Sequence, residues 1–153
     1  MGELHVGDPA PEFTLQDENG KERKMSDYRG KQVILFFYPA DDTPGCTKEV
    51  CNFRDDYSAY EGAGAELIGV SPDGSKSHTK FIDKFDLPFT LLADTEHVVG
   101  KLYGVWGPKK IFGREYVGMK RTTFLISKDG VIAEIFENVK PAVHSEQVLA
   151  ALA

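Results

Sequence analysis

The segment "QVILFFYP", residues 32–39, constrains this chain more than any other. Its apolar core runs from Val33 to Tyr38 without a break. A strand with one face in water would alternate apolar and polar residues, so this run belongs at the centre of a sheet covered on both faces. It is strand-sized, far short of a membrane span. Pro44 follows, preceded by Thr43. Threonine suits a helix N-cap, and proline suits the first helical position because its φ is fixed and it lacks an N–H. A buried strand therefore runs into a helix. The helix starts at the carboxyl end of a central strand, where open α/β sheets place their sites.

The remaining segments extend this pattern. "EFTLQDENGKERKM" alternates around Asn19-Gly20, a hairpin signal. "SDYRGK" reads as a short turn or helical piece, and the helix from Pro44 is expected to reach about Tyr60. "AELIGVS" is a second buried strand, entered through the turn "EGAGA". "SKSHTKFIDKF" puts Phe81, Ile82 and Phe85 on one helical face. "FTLLAD" is a strand, after which Asp94 or Thr95 caps a short helix carrying Val98, Val99 and Leu102. "GREYVGMKRTTFLIS", the turn "KDG" and "VIAEIFE" read as antiparallel strands, and "HSEQVLAALA" as an amphipathic final helix. With no repeat or linker in 153 residues, the expectation is one domain over residues 1–153. Its class is α/β, a thioredoxin-like fold with a central mixed β-sheet flanked by helices and an N-terminal β-hairpin.

The formal charge is −6 and the 18 basic residues are scattered, which argues against nucleic acid or an anionic membrane as partner. The start, "MGELHVGDPAPEF", carries no basic region followed by an apolar one, so no leader and a cytoplasmic location are expected. Two cysteines in a chain of this length do not make a disulfide framework.

Those two thiols, Cys46 and Cys51, both fall in "TPGCTKEVC". Cys46 sits in the first helical turn, near unpaired N–H groups and the positive end of the helix dipole, an environment that lowers a thiol's pKa and favours the nucleophilic thiolate. It shares an inward line with Val50, Phe53, Tyr57 and Tyr60, so a packing role competes with a reactive one. Cys51 lies about 140° round the helix, on the polar side between Lys48 and Asp55. In an ideal helix the two Cα atoms are about 8.7 Å apart, whereas a disulfide requires less than about 7 Å. A permanent bond is excluded while the helix stands, and a switching one requires the turn to unwind.

No metal is expected: there is no C-x-x-C, and His5, His78, His97 and His144 are spread through the sequence as surface or cap residues. "GAGAEL" lacks the third glycine of a dinucleotide fingerprint, and no phosphate-binding loop or haem-attachment motif occurs. Trp106 and the other aromatics read as core.

"FYPADDTPGCTKEVC" resembles the active-site segment of the peroxiredoxins, and its C-x4-C spacing resembles the bacterioferritin comigratory protein, or peroxiredoxin Q, subgroup. The likeness continues in "GDPAPEFTLQDENG", "FTLLAD", "YGVWG" and "RTTFLI". Pro39, Thr43 and Cys46 match P-x-x-x-T-x-x-C, and the family's distant arginine falls on Arg121. The resemblance implies a peroxidase in which Cys46 is the peroxidatic cysteine and Cys51 the resolving one. Its substrate would be a hydroperoxide, its reductant thioredoxin or a similar dithiol, and its state a monomer. Asp41 and Asp42, so close to a thiolate, would oppose its ionisation and increase the need for a cation.

On that reading, thiol ionisation is a minor part of catalysis. Lowering a thiol pKa from about 8.5 to about 6 gains roughly thirtyfold in thiolate and loses about thirteenfold in nucleophilicity. The larger part falls to groups that stabilise charge as O–O breaks: Arg121, the Thr43 hydroxyl and the N–H groups of Gly45 and Cys46, with Pro39 excluding water. No metal or organic cofactor is needed. A disulfide exchanger, a non-catalytic peroxide sensor and a zinc-binding module stand as the other readings.

Overall fold

The computed structural model describes residues 4–111, 113–137 and 139–152. Met1–Glu3, where no leader was expected, and Ala153, the last residue of the expected final helix, lie outside the described residues. The strands are β1 (Thr14–Gln16), β2 (Glu22–Lys24), β3 (Gln32–Phe37), β4 (Ala65–Ser71), β5 (Thr90–Ala93), β6 (Trp106–Ile111), β7 (Arg114–Met119), β8 (Thr122–Ile126) and β9 (Ile132–Phe136). The helices are α1 (Pro44–Asp55), α2 (Tyr57–Gly62), α3 (Ser75–Phe85), α4 (Val98–Leu102) and α5 (His144–Ala151), and Met25–Tyr28 forms a 3₁₀ turn.

Seven strands form one mixed sheet in the order β2-β1-β5-β4-β3-β8-β9. β3, β4 and β5 are parallel, while β8, β9, β1 and β2 pair antiparallel. β3 therefore lies between two strands, and its side chains alternate between two cores. Val33, Leu35 and Phe37 join one with Ile68, Val70, Tyr103 and Phe124. Ile34, Phe36 and Tyr38 join the other with Cys46, Val50, Phe53 and Leu125. The unbroken apolar run is thus a period-2 pattern in which both faces are buried.

The N-terminal hairpin forms where Asn19-Gly20 predicts it, but its loop spans residues 17–21. Gly20 takes φ +77°, and the Asp17 carboxylate accepts the N–H groups of Asn19 and Lys21. The expected long helix from Pro44 to Tyr60 is instead two helices, interrupted at Asp56 (φ −95°, ψ 7°). The Asp56 carboxylate accepts the Ser145 hydroxyl at 2.6 Å, which ties this junction to α5. The expected strand from Gly113 to Ser127 also divides. β6, a strand not expected from the sequence, pairs with β7 as a separate two-stranded hairpin, and β8 starts anew in the main sheet. Asp94 acts as expected before α4, accepting Val99 N–H at 3.1 Å and Gly100 N–H at 2.7 Å.

Candidate active site

α1 leaves the carboxyl end of β3 through Tyr38–Thr43, and this connection decides where Cys46 lies. Thr43 is the N-cap residue and Pro44 follows it, as the sequence implies. The Thr43 hydroxyl, however, caps nothing; it donates to the Ala40 carbonyl at 2.9 Å and tightens the turn. Cys46 is the third residue of α1 and is 1 % exposed. Arg121, just before β8, donates through Nη2 to Cys46 Sγ at 3.4 Å. Its Nη1 donates to Glu49 Oε1 at 2.7 Å. Glu49 lies one turn after Cys46, so one guanidinium spans the first turn of α1 and touches both residues. Gly45 makes room for it, since a Cβ there would stand 3.1 Å from Arg121 Nη2. Burial opposes the Arg121 charge, but the Cys46 sulfur and the Glu49 carboxylate together hold the guanidinium above its usual pKa.

Sequence reading missed Glu49. It stands between Lys48 and Val50 with no motif to mark it, yet it is 1 % exposed. Burial outweighs Arg121 and pushes its carboxyl up to about 7. Asp41 and Asp42, expected to burden the thiol, are engaged elsewhere. Asp41 takes hydrogen bonds from Tyr38 and Ser77, and Asp42 pairs with Lys84 at 2.8 Å.

A cleft of about 700 Å³ opens over Cys46, within the range of small-molecule sites. Pro39, Ala40, Thr43, Arg121 and Val139 form its floor. The β6–β7 hairpin supplies one wall through Pro108, Lys109, Lys110 and Tyr116. Lys109 is anchored by donating to the Met119 carbonyl at 2.9 Å, and burial, then the Arg121 charge, pulls its ammonium below its usual pKa. The expected residues Pro39, Thr43, Gly45, Cys46 and Arg121 therefore converge.

Cys51 stands apart. It lies on α1 with Cys46, both thiols are free, and it is half-buried rather than on a purely polar side. Its side chain packs at the margin of the α1 core, where burial pushes the thiol pKa up.

Two of the histidines were misjudged. His78 and His144 are fully buried. His144 meets Thr123 Oγ1 at 2.7 Å and is pushed below its usual pKa by burial. His97 holds the N-cap position of α4, but its side chain makes no capping hydrogen bond and instead stacks on half-buried Trp106 at 3.6 Å. His5 is exposed. Among the described residues no cluster of three or more His, Cys, Asp or Glu side chains is arranged to hold a metal. No helix among them is long and apolar enough to cross a membrane.

The profile of the AhpC/TSA family matches residues 6–135. Peroxiredoxin Bcp of Bacillus subtilis is 44 % identical over 149 residues, covering 97 % of this chain and 95 % of that protein. The chain belongs to the peroxiredoxins. It is a thiol-dependent peroxidase, which removes the disulfide exchanger and the zinc module from consideration. Two solved structures agree. PrxQ of Xylella fastidiosa, a cysteine-to-serine mutant, has a TM-score of 0.92 at 31 % identity, covering 99 % of this chain and 97 % of that one. A Xanthomonas campestris bacterioferritin comigratory protein, studied for its alkyl peroxide reduction activity, has a TM-score of 0.86 at 34 % identity, covering 92 % and 89 %. This peroxiredoxin thus has the thioredoxin-like α/β architecture expected from its element order.

Proposed function

We propose that Cys46 is the peroxidatic cysteine and Cys51 the resolving cysteine of a peroxidase acting on hydrogen peroxide and organic hydroperoxides. The observation that carries this reading is Arg121 Nη2 at 3.4 Å from Cys46 Sγ, at the floor of an open cleft. The thiolate attacks the distal oxygen of the hydroperoxide, a sulfur–oxygen bond forms and the O–O bond breaks. The leaving alkoxide or hydroxide takes a proton, and Cys46 becomes a sulfenic acid. Charge moves from sulfur onto oxygen during this step. Arg121 lies within reach of both atoms, and the N–H groups of Gly45 and Cys46, in the first helical turn, have no intrahelical partner. Thr43 holds the turn through Ala40, and Pro39 and Val139 narrow the access of water. The cleft volume, and the alkyl peroxide activity of the Xanthomonas campestris relative, support organic substrates.

Cys51 thiolate then attacks the Cys46 sulfenic sulfur, water leaves and a disulfide forms. Because both cysteines are in one chain, the cycle needs no second subunit, and we read the protein as a monomer. A thioredoxin-like dithiol reduces the disulfide, and the reaction calls for no metal or organic cofactor. Peroxide turnover with thioredoxin and its reductase tests this on three proteins. Wild type should turn over and Cys46→Ser should consume no peroxide. Cys51→Ser should consume one equivalent and hold a sulfenic acid. Rapid peroxide consumption by Cys46→Ser would reverse the two roles.

A further inference from the structure

The loop that delivers Cys46 is tied to the far side of its helix layer by a buried network. Asp41 is the centre. Its Oδ1 accepts Tyr38 O–H at 2.6 Å, and its Oδ2 accepts Ser77 O–H at 2.8 Å and faces His78 Nδ1 at 2.7 Å. Burial and the adjacent Asp41 charge raise the Tyr38 pKa well above the usual value, so the phenol keeps its proton and donates. The other His78 nitrogen, Nε2, is 2.9 Å from the Leu92 carbonyl, which only accepts. A neutral imidazole carries a single N–H. His78 therefore faces an acceptor at each nitrogen, with no exposure to water. Both contacts are satisfied when Nε2–H donates to the Leu92 carbonyl and one proton lies between Nδ1 and Asp41 Oδ2.

The same loop is fastened at two further points. Asp41 N–H donates to Asp73 Oδ2 at 2.7 Å, and Ser71 O–H donates to that same oxygen at 2.8 Å. Asp42 has φ +53°, a left-handed backbone that a residue with a Cβ holds only under constraint, and it pairs with Lys84 of α3. Thr43, the N-cap of α1, comes next. The charged and titratable groups facing the pair are thus Tyr38 from the end of β3, Asp73 after β4 and, at the surface, Asp42 and Lys84. A buried polar pair adds little net stability compared with an apolar pair of the same shape; its better-supported use is to fix one geometry.

We propose that Asp41 and His78 form a positioning latch: they hold the Pro39–Thr43 turn against α3 and β5, so that α1 begins where Cys46 meets Arg121. Neither residue touches the substrate. The proposal rests on Cys46 being the peroxide-reactive thiol, and its test separates the two ideas.

The test uses the Cys51→Ser protein as background, with peroxide oxidation and iodoacetamide alkylation of Cys46 measured side by side. Breaking the latch with Asp41→Ala or His78→Ala should slow peroxide oxidation about tenfold or more, because small displacements of reacting groups cost that much. Alkylation, which needs no Arg121 alignment, should not fall. The double variant should lose no more than about the larger single loss, as expected of two groups acting as one unit. Asp41→Asn keeps the shape: its amide accepts from Tyr38 and donates to a neutral His78, so it should stay within about threefold of the parent. Wild-type peroxide rates in folded Asp41→Ala overturn the latch. Should the alanine variants not fold, Asp41→Asn decides alone: a loss of about tenfold or more in its peroxide rate overturns the latch. If Cys46→Ser still reacts with peroxide, it is the assignment of Cys46 that fails.

Discussion

Glu49 holds one carboxylate oxygen 2.7 Å from Arg121, while the other, Oε2, has no partner among the described residues. Its folded pKa of about 7 lies above the usual 4.5, so the native state binds the proton more tightly than the unfolded chain does. The resulting stabilisation is complete below about pH 4.5 and is lost as the pH rises through about 7. One pKa unit corresponds to about 1.4 kcal/mol, so the group makes the protein less stable at pH 8 than at pH 5 by at most about 3 kcal/mol. Glu49→Gln keeps an acceptor for Arg121 but removes the titration. Denaturant melts of the two proteins from pH 5 to pH 8 should show wild type losing stability relative to the variant as pH rises, and parallel curves would contradict this account. Arg121 is the second test at this scale. Lysine keeps its charge but not the fork that reaches Sγ and Glu49 together. Arg121→Lys should slow the peroxide step about tenfold or more in stopped-flow measurements. A variant within about twofold of wild type would reduce Arg121 to a general positive charge.

α1 is continuous from Pro44 to Asp55, so Cys46 and Cys51 share one intact helix. Ideal geometry separates their Cα atoms by about 8.7 Å, beyond the reach of a disulfide. Oxidation therefore has to open the turn between them. That turn carries Val50, which is fully buried, and is followed by Asn52, whose amide donates to the Pro141 and Ala142 carbonyls beside α5. Opening it sacrifices a few helical hydrogen bonds and some apolar burial, on the order of 2–4 kcal/mol. A short disulfide loop returns little of this. On the proposed assignment, opening also frees Cys51 from the burial that raises its thiol pKa, so its thiolate becomes available as the geometry becomes suitable. The disulfide form should be less helical by circular dichroism and melt lower than the reduced form, with faster amide exchange from Cys46 to Phe53. Equal exchange in the two redox states would mean that α1 does not open. The break at Asp56 left no mark in the sequence, and the contact made there, with the Ser145 hydroxyl, comes from 89 positions away. The start of α1 was legible because Thr43 and Pro44 act locally.

At the scale of the molecule, what the sequence disclosed was whatever local pattern controls: the two-faced burial of β3, the hairpin at Gly20, the α3 face carrying Phe81. The Thr43–Cys46 segment was legible for the same reason, with Pro39 and Arg121 added by family resemblance. Glu49, His78 and His144 were not legible, because their burial comes from chain segments distant in sequence. Gly69 belongs to this hidden class. Nothing about "AELIGVS" marks its glycine, yet the register places Gly69 beside Phe36 on one side and Leu91 on the other. A Cβ there would stand 2.7 Å from Leu91 Cδ2 and 2.8 Å from Phe36 Cζ. Both side chains are fully buried, and the Phe36 ring lies 4.8 Å from that of Phe53 in α1. The added methyl group has nowhere to go except by displacing the ring that joins sheet to helix. Gly69→Ala should therefore cost about 1–3 kcal/mol, and at roughly 2–4 °C per kcal/mol for a chain of this size it should melt several degrees lower. Gly62 is the control. It closes α2, and a Cβ there would meet nothing within 4 Å. Gly62→Ala should stabilise by about 0.4–1 kcal/mol, because alanine narrows the unfolded ensemble without a clash. Melting curves of the two variants should move in opposite directions. Two shifts of the same sign would show that close packing around Phe36 does not limit what the sheet accepts at Gly69.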